Sequence, residues 1–178
     1  IHEELYVFVR QIQEYLNDYP ILGLVLKAYK TKAPQILPTI SAKLDKEIKD
    51  VLGVLDTDQF CSVIEDFENG LRLFARAKKH SDLKEVINKM YGSCDEVVKV
   101  ALNDRGKGFK HSFDKKVHQE LHLNGEQNEI YKHLKNWMDQ IKHGNKAHLD
   151  RSEIEMIISM TAAFIRYVAV KAQKDQIA

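Results

Sequence analysis

Lys142, His143 and His148 fall in the stretch KHGNKAH, residues 142–148, which separates two segments of helical periodicity. An ammonium neutralises phosphate, and an imidazole exchanges a proton near neutral pH. Held within one connection, these groups are the parts of a phosphate-handling site. Lys142 and His143 stand at the end of one helix, and Gly144 supplies the left-handed conformation that ends it. His148 comes just before the next helix, so in an antiparallel hairpin Lys142 and His148 approach one place. The first amides of that next helix point into the same region, where free N–H groups bind anions. Asn145, Lys146 and Arg151 add polar and positive groups there. A plainer reading stays open beside this one. Lys and His are favoured at a helix C-terminus by the macrodipole alone, which would make the stretch a basic connection and nothing more.

A second basic stretch, RGKGFKH, runs from Arg105 to His111. Arg105, Lys107, Lys110, His111, Lys115 and Lys116 are interleaved with Phe109 and Phe113, a pattern that suits an RNA backbone with stacked bases. The alternative is a solvated loop with its aromatics tucked into the protein. Its glycines do not follow the P-loop order. His118 and His122 are four apart, as metal ligands can be, but the order H-E-x-x-H is missing and no metal or other cofactor is expected. Glu65, Asp66 and Glu68 read as a solvated helix face. Trp137 and Phe164 read as core.

The elements that must position these groups are helical almost throughout. Leu5, Phe8, Val9, Ile12 and Leu16 mark a first helix that ends at NDYP. Leu22, Val25, Leu26 and Tyr29 mark a short second one, and TKAPQILP is a linker. Ile40, Leu44, Ile48, Val51, Leu52 and Leu55 give a third, capped by Thr39. Thr57 or Asp58 caps the next, with its stripe of Phe60, Val63, Ile64, Phe67, Leu71 and Phe74. Ser81 caps a helix carrying Leu83, Val86, Ile87, Met90, Cys94, Val97 and Ala101. A short helix spans Val117 to Leu121, and a longer one runs from about Glu126 to Lys142 with Ile130, Leu134, Trp137 and Ile141 on one face. Ser152 and Glu155 fit a capping box that opens the last helix. No segment shows convincing strand alternation. The fold class is therefore all-α, a helical bundle with antiparallel neighbours where connections are short.

The bulk numbers set limits. At 178 residues the chain is one domain, residues 1–178, with a division into N-terminal helices (1–56) and a C-terminal bundle (57–178) as the alternative. The formal net charge of +1 excludes a protein that binds nucleic acid through its overall charge, so attraction to phosphate must come from local clusters. Two cysteines, Cys61 and Cys94, lie within apolar helical patterns and read as reduced, buried thiols of a cytoplasmic protein. No apolar run is long enough to span a bilayer. The chain opens at Ile1 inside a helical pattern, which fits a piece of a longer protein.

The stretch IKHGNKAHLDRSEIEMIISMTAAFIRYV resembles the C-terminal hairpin of the HEPN superfamily (higher eukaryotes and prokaryotes nucleotide-binding), in particular its abortive-infection members of bacterial phage defence. Their signature is Arg, a polar residue, a short spacer and His, placed before the last core helix. His143 matches the polar position, His148 the terminal histidine, and Lys142 stands where the family has Arg. SDLKEVINKMYGSCDEVVKVALND resembles the long helix that precedes this hairpin, and the likeness covers roughly residues 81 to 172. It implies a HEPN-like antiparallel core in the C-terminal half, a homodimer, and a metal-independent endoribonuclease. In that scheme His148 acts on the ribose 2′-hydroxyl, Lys142 stabilises the phosphorane and His143 orients them. The lysine is a departure, because an ammonium cannot grip phosphate bidentately as a guanidinium does. The resemblance therefore also implies an alternative, an inactive module that dimerises or senses a partner, other domains of a longer chain included.

Overall fold

The computed structural model describes residues 24–27, 35–38, 42–144 and 149–175. Its elements are β1 (Leu24–Lys27), β2 (Gln35–Pro38), α1 (Ala42–Leu55), α2 (Cys61–Arg76), α3 (His80–Ala101), α4 (Lys115–Glu120), α5 (Gly125–Lys142) and α6 (Arg151–Asp175). Short 3-10 turns precede α2 (Asp58–Phe60) and α4 (Phe109–Phe113). The architecture is an all-α bundle of six helices among the described residues, with one small hairpin before it.

That hairpin corrects the reading of the N-terminal region. β1 and β2 pair antiparallel, with Val25 opposite Leu37 and Leu26 opposite Ile36. The expected short helix through Val25 and Leu26 is a strand, and so is the second half of the expected linker. Four-residue apolar runs do not distinguish strand from helix, and Pro34 and Pro38 disfavour helix on either side of β2. The expected first helix (Leu5 to Leu16) and the Thr39 cap lie outside the described residues.

The bundle is built around α3, which packs against α2, α5 and α6, while α1 packs chiefly on α6. Val63, Ile64, Phe67, Leu71 and Phe74 of α2 recur at helical spacing and are all buried, as are Val86, Ile87, Met90, Cys94 and Val97 of α3. The two helices form a tight antiparallel pair. A β-carbon on Gly70 would lie 2.5 Å from the Met90 methyl and 3.2 Å from Lys89 Cβ, so the bare backbone at Gly70 sets their approach. Lys89 Nζ meets Asp66 Oδ1 at 3.1 Å across the same interface. α6 is buried along most of its length, from Ile154 through Ile157, Phe164 and Ile165 to Ala172.

Glu68 departs from the expected solvated face of Glu65 and Asp66. It is only 1% exposed. Burial pushes its carboxyl up to about 7, against the pull of Arg72, whose guanidinium lies 3.6 Å away. Cys61 departs the other way, since it is exposed at the start of α2, whereas Cys94 is buried as expected.

Candidate functional site

Two helix ends, the close of α5 and the start of α6, flank Lys142. α5 opens on a capping box in which Asn124 Oδ1 accepts from the Gln127 amide (2.8 Å) and Gln127 Oε1 accepts from the Asn124 amide (3.1 Å). It closes at Lys142, followed by His143 as C-cap and Gly144 at φ +76°, the left-handed turn that the sequence calls for. α6 then starts at Arg151, and its cap is not the expected one. The Asp150 amide donates to Glu153 Oε2 (3.1 Å), and Asp150 Oδ1 accepts from the Ser152 amide (3.0 Å). The box therefore sits two residues before Ser152 and Glu155. Leu149 and Ile154 hold the two positions of a hydrophobic staple around this cap, and both are buried. A start at Ser152 would have given those positions to Arg151 and Met156, which are exposed. The earlier cap also occupies the Ser152 amide, one of the N–H groups on which an anion site at this helix start would draw.

Lys142 is half-buried, and its Nζ lies 3.3 Å from the centroid of the Tyr91 ring on α3. A cation held this way gains roughly 0.5–2 kcal/mol, depending on how far it is desolvated. Tyr91 is itself fixed, edge-on to Phe109 at 5.3 Å, and Phe109 packs on Phe164 at 4.9 Å and Phe113 at 5.5 Å. Burial, then the nearby carboxylates of Asp139 and Asp95, push the Tyr91 hydroxyl up to about 12, so it stays protonated and neutral under the ammonium. Arg151 turns to a different aromatic, with its guanidinium carbon 4.1 Å from the centroid of the Phe74 ring at the end of α2. His143 is exposed beside them. Asn145, Lys146 and His148 lie outside the described residues.

Two cations of the second basic stretch are engaged. Arg105 is paired with Glu96, and Lys107 bonds Glu120 at 3.3 Å and Asp104 at 3.7 Å; Lys110 is exposed. Phe109 is fully buried, and Phe113 is half-buried against it, so these rings belong to the core rather than to a base-stacking surface. The stretch is pinned where the Phe109 amide donates to Asp95 Oδ1 at 2.8 Å. Gly108 makes this approach feasible, because a β-carbon there would lie 1.9 Å from that same oxygen. Tyr91 thus links the two stretches, seating Lys142 and touching Phe109. Local sequence carried no signal for Tyr91, for Phe74 under Arg151, or for Lys84, whose Nζ lies 4.0 Å from where a β-carbon of Gly144 would be.

His118 is on α4, whereas His122 follows it in a left-handed turn at φ +53° and its carbonyl accepts from the Tyr167 hydroxyl. Among the described residues no group of three His, Cys, Asp or Glu could hold a metal ion. None of their helices is long and apolar enough to cross a membrane. No protein family, curated protein or solved structure matches the chain.

Proposed function

We propose that this chain is an RNA-directed, HEPN-like helical domain of a bacterial antiphage protein, working as a homodimer in the cytoplasm. The observation that carries the proposal is the seating of Lys142 over Tyr91 at the end of α5, beside exposed His143. A lysine whose position is fixed by an aromatic ring offers a preorganised charge to a phosphate, which is what stabilising a phosphorane requires. Phosphate contact then falls to side-chain cations, because the Asp150 carboxylate takes up the Ser152 amide at the start of α6.

The reaction in this scheme needs no metal. His148 takes the proton of the ribose 2′-hydroxyl, the 2′-oxygen bonds to phosphorus, and the bond from phosphorus to the 5′-oxygen breaks. The departing oxygen takes a proton from solvent and His148 releases its own, leaving a 5′-hydroxyl and a 2′,3′-cyclic phosphate. DNA lacks the nucleophile and is not cut. Purified chain carrying His148→Ala is expected to lose RNA cleavage with unchanged helical circular dichroism. Equal cleavage by this variant would overturn the assignment.

One observation favours a second reading, an inactive module that dimerises or senses a partner. The Lys142 ammonium faces a ring and lacks the forked donors of a guanidinium. Lys142→Arg separates the two readings: the enzyme gains activity, whereas the module cuts RNA in neither form.

A further inference from the structure

The turn between α2 and α3 brings a second set of cations to the same end of the bundle. Residues 76–84 read RAKKHSDLK, with Arg76, Lys78, Lys79 and Lys84 set against one carboxylate, Asp82. Asp82 is turned back on the chain, where its Oδ2 accepts from the Lys78 and Lys79 amides at 3.0 Å each. Arg76, Lys78, Lys79 and His80 are exposed and Lys84 is half-buried. One contact and one near approach join this turn to the α5–α6 end. Lys84 Nζ approaches Gly144, and Arg151 lies over Phe74, two residues before Arg76. The acids nearest the α6 side, Asp150 and Glu153, cap their own helix. Lys79 also faces the Asp82 carboxylate, whereas Lys89, Lys99, Arg105, Lys107 and Lys135 elsewhere on the bundle each meet an Asp or Glu within 4 Å.

We propose that Lys78, Lys79 and Lys84 form a second phosphate-binding segment, which carries an RNA backbone from the Lys142–Arg151 end across the α2–α3 turn. The proposal rests on the RNA-directed reading above and deepens it. Cations on the α2–α3 turn and at the start of α6 would then meet successive phosphates of one strand. Such contacts release counterions, so binding depends steeply on salt.

The test compares the triple variant Lys78→Gln/Lys79→Gln/Lys84→Gln with Arg166→Gln/Lys171→Gln/Lys174→Gln. The second variant removes equal charge from α6 positions that lie more than about 20 Å along the helix from Arg151. Binding of a fluorescein-labelled single-stranded RNA is followed by anisotropy over a series of salt concentrations, and thermal melts check that both variants fold. The first variant is expected to bind about ten- to a hundredfold more weakly, with the slope of log affinity against log salt shallower by about 2, at roughly 0.7 per lost contact. The second is expected to bind as the unaltered chain does. Equal weakening in both variants would reduce the effect to net charge and overturn the segment. RNA binding that responds to Lys142→Gln but not to the first triple variant would also overturn it, leaving the RNA-directed reading intact. No binding by the unaltered chain would overturn both. If the triple variant instead lost co-sedimentation with phosphatidylserine vesicles while binding RNA normally, the surface would serve a membrane and the proposal would fail.

Discussion

Replacing Glu68 with Gln is expected to stabilise the bundle, and to do so more as pH rises. Its carboxyl ordinarily titrates at 4.5, and burial in the folded chain holds it at about 7. Below about pH 4.5 both states keep the proton, and stability does not change with pH through this group. Between those values the unfolded chain releases the proton and the folded chain retains it, so stability falls as pH rises. Above pH 7 the loss is complete. Each pKa unit corresponds to about 1.4 kcal/mol, so the gap amounts to roughly 3 kcal/mol. The attraction to Arg72 at 3.6 Å is already contained in that figure. The glutamine side chain has nearly the same shape and no charge to bury. At pH 8 the variant is expected to be about 3 kcal/mol more stable than the unaltered chain, which for a chain of this length raises Tm by roughly 6–12 °C. At pH 4.5 the difference is expected to shrink to within about 0.5 kcal/mol, the usual size of a substitution with no special mechanism. Urea unfolding followed by circular dichroism at both pH values measures this directly. A difference between variant and unaltered chain that stayed constant across pH would place the Glu68 carboxyl in water instead of in the core.

Gly108→Ala is expected to destabilise the chain by about 1–3 kcal/mol in urea unfolding, since the new methyl must displace the Asp95 carboxylate that holds the Phe109 amide. Native protein is expected to react with a thiol reagent at Cys61 only, the Cys94 thiol being fully buried and pushed far up; both should react in urea, and fast labelling of two thiols in the native state would contradict the packing. Tyr91→Leu is expected to weaken RNA binding about two- to fivefold by removing the seat under Lys142, while Tyr91→Phe retains it; equal losses in the two variants would assign the effect to the hydroxyl instead.

Much of the helical frame was legible because helical spacing is a local property. The stripe from Val63 to Phe74, the end of α5 at Lys142 and the left-handed Gly144 all follow from residues within a few turns of one another. The cap of α6 shows where local reading divides. LDRSEIE carries two overlapping capping patterns, Asp150 with Glu153 and Ser152 with Glu155, and the buried Leu149 and Ile154 select the first. The strands were not legible because four apolar residues do not establish a period. The burial of Glu68 was not legible either, because charge predicts exposure only on average, and α2 is enclosed on more sides than its strongest stripe suggests.

The fold class, most helix limits and the clustering of bases at 142–151 were set by side chains close together in the chain. That Lys142 rests on Tyr91, and that Arg151 rests on Phe74 next to the α2–α3 turn, follows only from how the helices pack. Those neighbours come from different helices, and what joins them is the burial of apolar faces along α2, α3 and α6, a property of the whole packed core.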